Sequence, residues 1–151
     1  MSPAHVNAAV VAAKAELVRS MLESIESLPL GSLSEFREDP HSAAAGESYL
    51  RRSLEALLDL GRHLLAKGFG VAAVEYKEIP IRLHERRVLT AEERELFVKM
   101  AGYRNRMVHL YAQIEAEELF GILSERRRDI ATIHDALVSW AREHGSTSGA
   151  I

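Results

Sequence analysis

Apolar residues recur at steps of three and four along most of this chain, and no useful stretch shows a step of two. Val6, Val10, Ala13, Leu17, Met21, Ile25 and Leu28 trace one face of a long amphipathic helix. Ser2-Pro3 ahead of it reads as an N-cap followed by proline in the first turn. Pro29, Gly31 and Ser32 end it, and residues 30–39 read as a loop. Asp39-Pro40 repeats the cap-plus-proline start. A second stripe follows in Tyr49, Leu50, Ser53, Leu54, Leu57, Leu60, Gly61, Leu64 and Leu65, with Gly68 as its stop. After a connection to Tyr76, a short third helix is predicted from about Lys77 to Arg87.

Thr90 and Glu93 are spaced as a capping box and open a fourth helix, whose apolar face is Leu96, Phe97, Met100, Ala101, Met107 and Val108. Leu119, Leu123, Ile130, Ile133, Leu137 and Trp140 mark a last helix, with Gly145 at its end. Residues 146–151 are small and polar and read as a flexible tail. The expected fold is all-α: an antiparallel bundle of four long helices plus one short one, forming a single domain over residues 1–145.

Composition adjusts this picture little. The 151 residues suit one domain, with 47% hydrophobic and 27% charged content. There is no cysteine, so neither a disulfide framework nor a thiolate metal site is available. Apolar stretches are short and broken by charge, and the N-terminus lacks a secretory pattern. A cytoplasmic location, away from any membrane, is the expectation. The net charge of -3 does not announce a nucleic-acid binder. Local arginine runs (82, 86, 87; 104, 106; 126–128) could still form a basic surface.

Candidate chemistry concentrates in Tyr103-Arg104-Asn105-Arg106-Met107-Val108-His109-Leu110-Tyr111. On an ideal helix Arg104 and Tyr111 fall nearly in line with Met100, Ala101, Met107 and Val108. A charge on a packing face must be paired or must look into a polar cleft. Asn105 and His109, four apart, would flank that stripe. Arg104 and His109 would sit about 140° apart around the axis. Either the helix changes near His109, or a second copy of the chain completes the site. These residue types suit RNA cleavage without a metal. Histidine moves protons, arginine holds a phosphate through paired hydrogen bonds, and asparagine orients either. Tyrosine donates a hydrogen bond or stacks on a base.

Other patterns lead nowhere. The histidines include no pair four apart and no His-Glu-x-x-His, so no metal is expected. His63 and His134 read as helix-surface or core-edge residues. Gly68-Phe69-Gly70 lacks the lysine of a phosphate loop, and Ser20, Ser24 and Ser27 lack catalytic companions.

Arg104-x4-His109-x-Tyr111 resembles the signature of HepT toxins in the HEPN superfamily. The similarity extends over Met100 to Tyr111, Tyr76-Lys77-Glu78-Ile79-Pro80 and Glu47 to Leu65, and in all over about residues 40–143. The resemblance implies a HEPN-like helical bundle and a metal-independent endoribonuclease toxin, without a cofactor and acting on RNA. Arg104 and His109 carry over as its catalytic pair, with Asn105 beside them. It further implies a homodimer through the fourth-helix face, with the motif lining the groove between subunits. The implied partner is an MntA-type nucleotidyltransferase antitoxin that silences the toxin by placing AMP on Tyr111. The resemblance also admits a non-catalytic HEPN module that binds a nucleotide or serves a nucleotidyltransferase as its substrate-binding partner.

Overall fold

The computed structural model describes residues 5–109 and 114–145. Among the described residues there are seven helices and no strand: α1 (Ala8–Glu26), α2 (Leu33–Glu38), α3 (Pro40–Phe69), α4 (Glu78–Glu85), α5 (Ala91–Val108), α6 (Ala116–Glu125) and α7 (Arg127–His144). The 30-residue α3 is about 45 Å long at 1.5 Å per residue. It touches every other helix and forms the spine of the bundle.

Sequence signals and structure agree most closely at α3 and α5. Asp39 caps α3, accepting the His41 N–H at 2.9 Å and the Ser42 hydroxyl at 3.1 Å, with Pro40 in the first turn. The predicted core face of α3 is buried from Leu50 to Leu65. Both arms of the Thr90–Glu93 capping box are present, at 2.8 and 3.1 Å. From that start Phe97, Met100 and Ala101 enter the core.

Four expectations need correction. First, residues 33–38 form a helix rather than a loop. Ser32 caps it through the Glu35 N–H at 3.1 Å, and the turn it makes buries Phe36 against Phe120 at 5.8 Å between ring centroids. Second, the last helix is two helices that meet at Arg126. The α6 segment packs on α2 and α3, whereas α7 packs on α1, α3 and α5, and one straight rod cannot follow both paths. Third, α3 stops at Gly70, not Gly68. Gly70 has φ 67° and its N–H reaches the Ala66 carbonyl at 3.0 Å. Gly68 is instead a close-approach position, because a Cβ there would lie 3.2 Å from Trp140. Fourth, the buried stripe of α1 is Val11, Ala15, Val18, Met21 and Ile25, rotated from the predicted one. Adjacent apolar pairs such as Val10-Val11 and Leu17-Val18 leave the phase of that helix ambiguous in sequence.

Asn7 is the cap of α1, accepting the Ala9 and Val10 N–H groups at 2.9 and 3.2 Å. The predicted cap at Ser2-Pro3 lies outside the described residues, as does the tail from residue 146. The Asn7 N–H in turn donates to Nε2 of His63 at 3.0 Å. Burial first, and the charge of Lys67 second, hold the His63 imidazole below its ordinary value of 6.5. Nε2 accepts this bond only in the neutral ring. With the folded value depressed, the stabilisation is full above the unfolded value and is lost as pH falls through the folded one. His63→Gln should therefore lose less melting temperature than wild type on going from about pH 7.5 to about pH 5. Equal losses in the two proteins would show that His63 is not the titrating contact.

Among the described residues no helix is long and apolar enough to cross a membrane.

Candidate functional site

The site is built where α5 ends beside α3 and the connection into α4. One flank of α3 carries Arg51, Glu55, Asp59 and Arg62, spaced four, four and three apart and so stacked along one face. Arg104 arrives from α5 one turn beyond Met100 and Ala101. Its Nε donates to Oε2 of Glu55 at 3.0 Å, Nη2 lies 2.9 Å from the same oxygen as an ion pair, and Nη1 donates to Oδ1 of Asn105 at 3.4 Å. Glu55 also accepts from Arg51 at 3.1 Å. Thus the charge on the packing side of α5 is paired, as its position requires.

Tyr76 lies next to this pair. Its hydroxyl donates to Oδ1 of Asp59 at 3.0 Å. The Arg104 and Arg62 guanidinium carbons lie 4.6 and 4.9 Å from the Tyr76 ring centroid. Burial and then the Asp59 carboxylate push the phenol up from its ordinary value, against the opposing pull of the two arginines. Arg62 also donates to the carbonyls of Ala73 and Val74, each at 3.1 Å, which ties the 70–77 connection to α3.

These groups border an open cavity of about 610 Å³ lined by Arg62, Val74, Glu75, Tyr76, Lys77, Arg104, Asn105, Val108 and His109. That volume lies in the range of small-ligand sites. Val74 and Val108 stand exposed at its rim, so Val108 is not part of the α5 core face.

The helix break left open by the sequence is present. The α5 segment ends at Val108, and His109 is extended, with φ −96° and ψ 121°. Its N–H turns back to the Arg106 carbonyl at 3.3 Å. His109, past the end of the helix, lines the same cavity as Arg104 and Asn105. Three of the four expected site residues thus line one cavity. The fourth, Tyr111, lies outside the described residues. Among the described residues no cluster of three or more His, Asp or Glu side chains is arranged to hold a metal ion.

Of the arginines in the three runs, Arg104 alone lines this cavity. Arg106 points elsewhere and makes a two-bond pair with Glu118 of α6, both at 2.7 Å. That hydrogen bonding raises the arginine and lowers the carboxylate from their ordinary values. Arg82 and Arg126 pair with Glu85 and Asp129. Sequence reasoning missed Glu55, Asp59, Arg62 and Tyr76. The three- and four-residue charge spacing on α3 was the available signal for the first three.

A protein-family model described as Ribonuclease HepT-like matches residues 18–137. The curated tRNA nuclease HepT of Aphanizomenon flos-aquae is 23% identical over 120 residues, covering 80% of this chain and 82% of that protein. Among solved structures, a tri-AMPylated Shewanella oneidensis HEPN toxin in complex with an MNT antitoxin is similar with a TM-score of 0.78 at 18% identity. The match covers 86% of this chain and 97% of that one. YutE of Bacillus subtilis, a cytosolic protein of unknown function, is similar with a TM-score of 0.78 at 18% identity, covering 95% and 94%. At such identities the two structures establish the fold.

Proposed function

The chain belongs to the HepT-like ribonuclease family, and from that premise we propose that it is a metal-independent endoribonuclease toxin held in check by a nucleotidyltransferase antitoxin. The observation that carries the reading is that His109, just past the end of α5, lines one cavity with Arg104 and Asn105. In the proposed reaction the RNA 2′-oxygen attacks phosphorus and the bond to the 5′-oxygen breaks. His109 takes the 2′-hydroxyl proton or returns one to the leaving oxygen. Arg104 stabilises the charge that develops on the phosphoryl oxygens, and Asn105 orients the group it meets. The products are a 2′,3′-cyclic phosphate and a 5′-hydroxyl.

Because the curated relative is named a tRNA nuclease, total tRNA is the substrate to try first. Purified protein is expected to cut it with a metal chelator present. Cutting that a chelator abolishes would overturn the metal-independent part of the reading.

Silencing is proposed to act at Tyr111, two residues beyond His109. Support comes from the AMPylated state and MNT partner of the similar Shewanella toxin. Attack of the phenol on the α-phosphorus of ATP would release pyrophosphate and leave AMP on Tyr111. The added phosphate would compete for Arg104, and the nucleoside would fill the cavity. Intact mass after incubation with the partner and ATP should show one or more AMP increments that Tyr111→Phe lacks. Persistence of the increments in Tyr111→Phe would exclude that acceptor.

A homodimer is proposed at the C-terminal end of α5. Phe97, Met100 and Ala101 are consumed by the chain's own core, which leaves Val108 and His109 exposed at that end.

A further inference from the structure

The geometry points to Tyr76 as a positioning residue for Arg104, fixing the plane in which that guanidinium meets a substrate phosphate; the inference rests on the nuclease reading above. Arg104 needs such a contact. Its Nε and Nη2 both converge on one oxygen of Glu55 rather than on the two oxygens of a fork. One hydrogen bond and one ion contact on a single oxygen pin the group less firmly than two donors on two oxygens, and its remaining contact, Nη1 to Oδ1 of Asn105, is long at 3.4 Å. The Tyr76 ring supplies the missing constraint from the face, with the guanidinium carbon 4.6 Å from its centroid.

The ring is itself immobilised. Its hydroxyl is tied to Asp59 at 3.0 Å, and Asp59 also lies within reach of Lys14 and Arg62. Arg62 sits 4.9 Å from the ring centroid and holds the carbonyls of Ala73 and Val74, which set the backbone leading to Tyr76. A phenol that donates to a carboxylate is electron-rich, which strengthens the attraction of its π-system for a cation. The phenol stays protonated because burial and Asp59 push it up. With the Nε side of Arg104 taken by Glu55, one face by Tyr76 and one N–H of Nη1 by Asn105, the second N–H groups of Nη1 and Nη2 remain for a ligand. They lie next to Asn105, in the cavity that His109 also lines.

Tyr76 could instead merely anchor the 70–77 connection, and the test separates the two roles. In ¹⁵N-labelled protein the Arg104 Nε–H signal should be shifted by the ring current and slow to exchange. Tyr76→Phe should retain both properties, and Tyr76→Leu should lose both. On a His109→Ala background, which blocks turnover, Tyr76→Leu should weaken binding of total tRNA by about three- to tenfold. Adding Arg104→Ala should remove that difference, and Tyr76→Phe should stay within about twofold of its parent. Tyr76→Met takes the place of Tyr76→Leu in the same cycle if the leucine variant does not fold.

An Arg104 signal unchanged by loss of the ring would overturn the inference. So would equal weakening with and without Arg104, which would mean that Tyr76 acts on RNA directly. If wild type neither binds nor cuts tRNA, the nuclease reading fails, and the Arg104 signal still decides whether Tyr76 positions it.

Discussion

His109→Ala is expected to slow tRNA cutting by about 10²- to 10⁴-fold, the usual contribution of a general acid–base group, with little change in stability. The side chain is exposed at the end of α5. Substitutions of exposed side chains usually stay within about 0.5 kcal/mol. Arg104→Ala should also cost about 10²- to 10³-fold, through lost stabilisation of phosphoryl charge. Its signature differs, because Glu55 and Tyr76 both lose a partner. Arg104 and Glu55 are each about a quarter exposed, so solvent screening keeps the stability loss near 1 kcal/mol.

Arg104→Lys should not rescue activity. A single ammonium cannot hold Glu55, lie flat against Tyr76 and present an edge to phosphate together. Initial rates on total tRNA in chelator, with melting temperatures alongside, check all three variants. Wild-type rates in His109→Ala would remove His109 from the chemistry.

The elements legible in sequence were those whose signals are local. Asp39-Pro40 and the Thr90–Glu93 box fixed two helix starts, because a cap is a bond between residues two or three apart. The stripe of α3 was legible because its leucines are flanked by charge on both sides. The phase of α1 was not, since apolar residues cover a wide arc of it. The short α2 was hidden because its reason for existing is Phe120, 84 positions after Phe36. The break at Arg126 follows from which helices α6 and α7 touch, which no window of sequence contains.

The same division runs through the site. Arg104, Asn105 and His109 share one segment and were legible as a motif. Glu55, which holds Arg104, is 49 positions away. Asp59 and Tyr76 are 17 apart and meet only because Arg62 folds the connection back onto α3. Helical geometry posed the right question about His109. The answer lay in the backbone, which leaves the helix one residue before the histidine.

Gly61→Val is expected to have the largest effect on stability, and its consequence for activity tests how the site depends on the spine. Gly61 is buried on α3 where α4 and α5 close over it. A Cβ at that position would lie 2.8 Å from Cγ2 of Ile79, 3.0 Å from Cδ1 of Leu83 and 3.6 Å from Phe97. Replacing glycine by alanine in a helix gains about 1 kcal/mol of propensity, which offsets part of the crowding. Valine gains less and adds two methyl groups to a filled space, where overpacking costs about 1–3 kcal/mol. Gly61→Val should therefore lower the urea midpoint clearly, and Gly61→Ala only slightly.

Relief of the crowding must come from α4, which is short and joined to α3 through the connection that carries Tyr76 and Lys77. Moving α4 outward draws Tyr76 away from Arg104. Gly61→Val, held below its melting range, should then cut tRNA more slowly than wild type although every motif residue is intact. Destabilisation with full activity would mean that α4 yields without carrying Tyr76, and that the face contact on Arg104 survives independently of how α4 is seated.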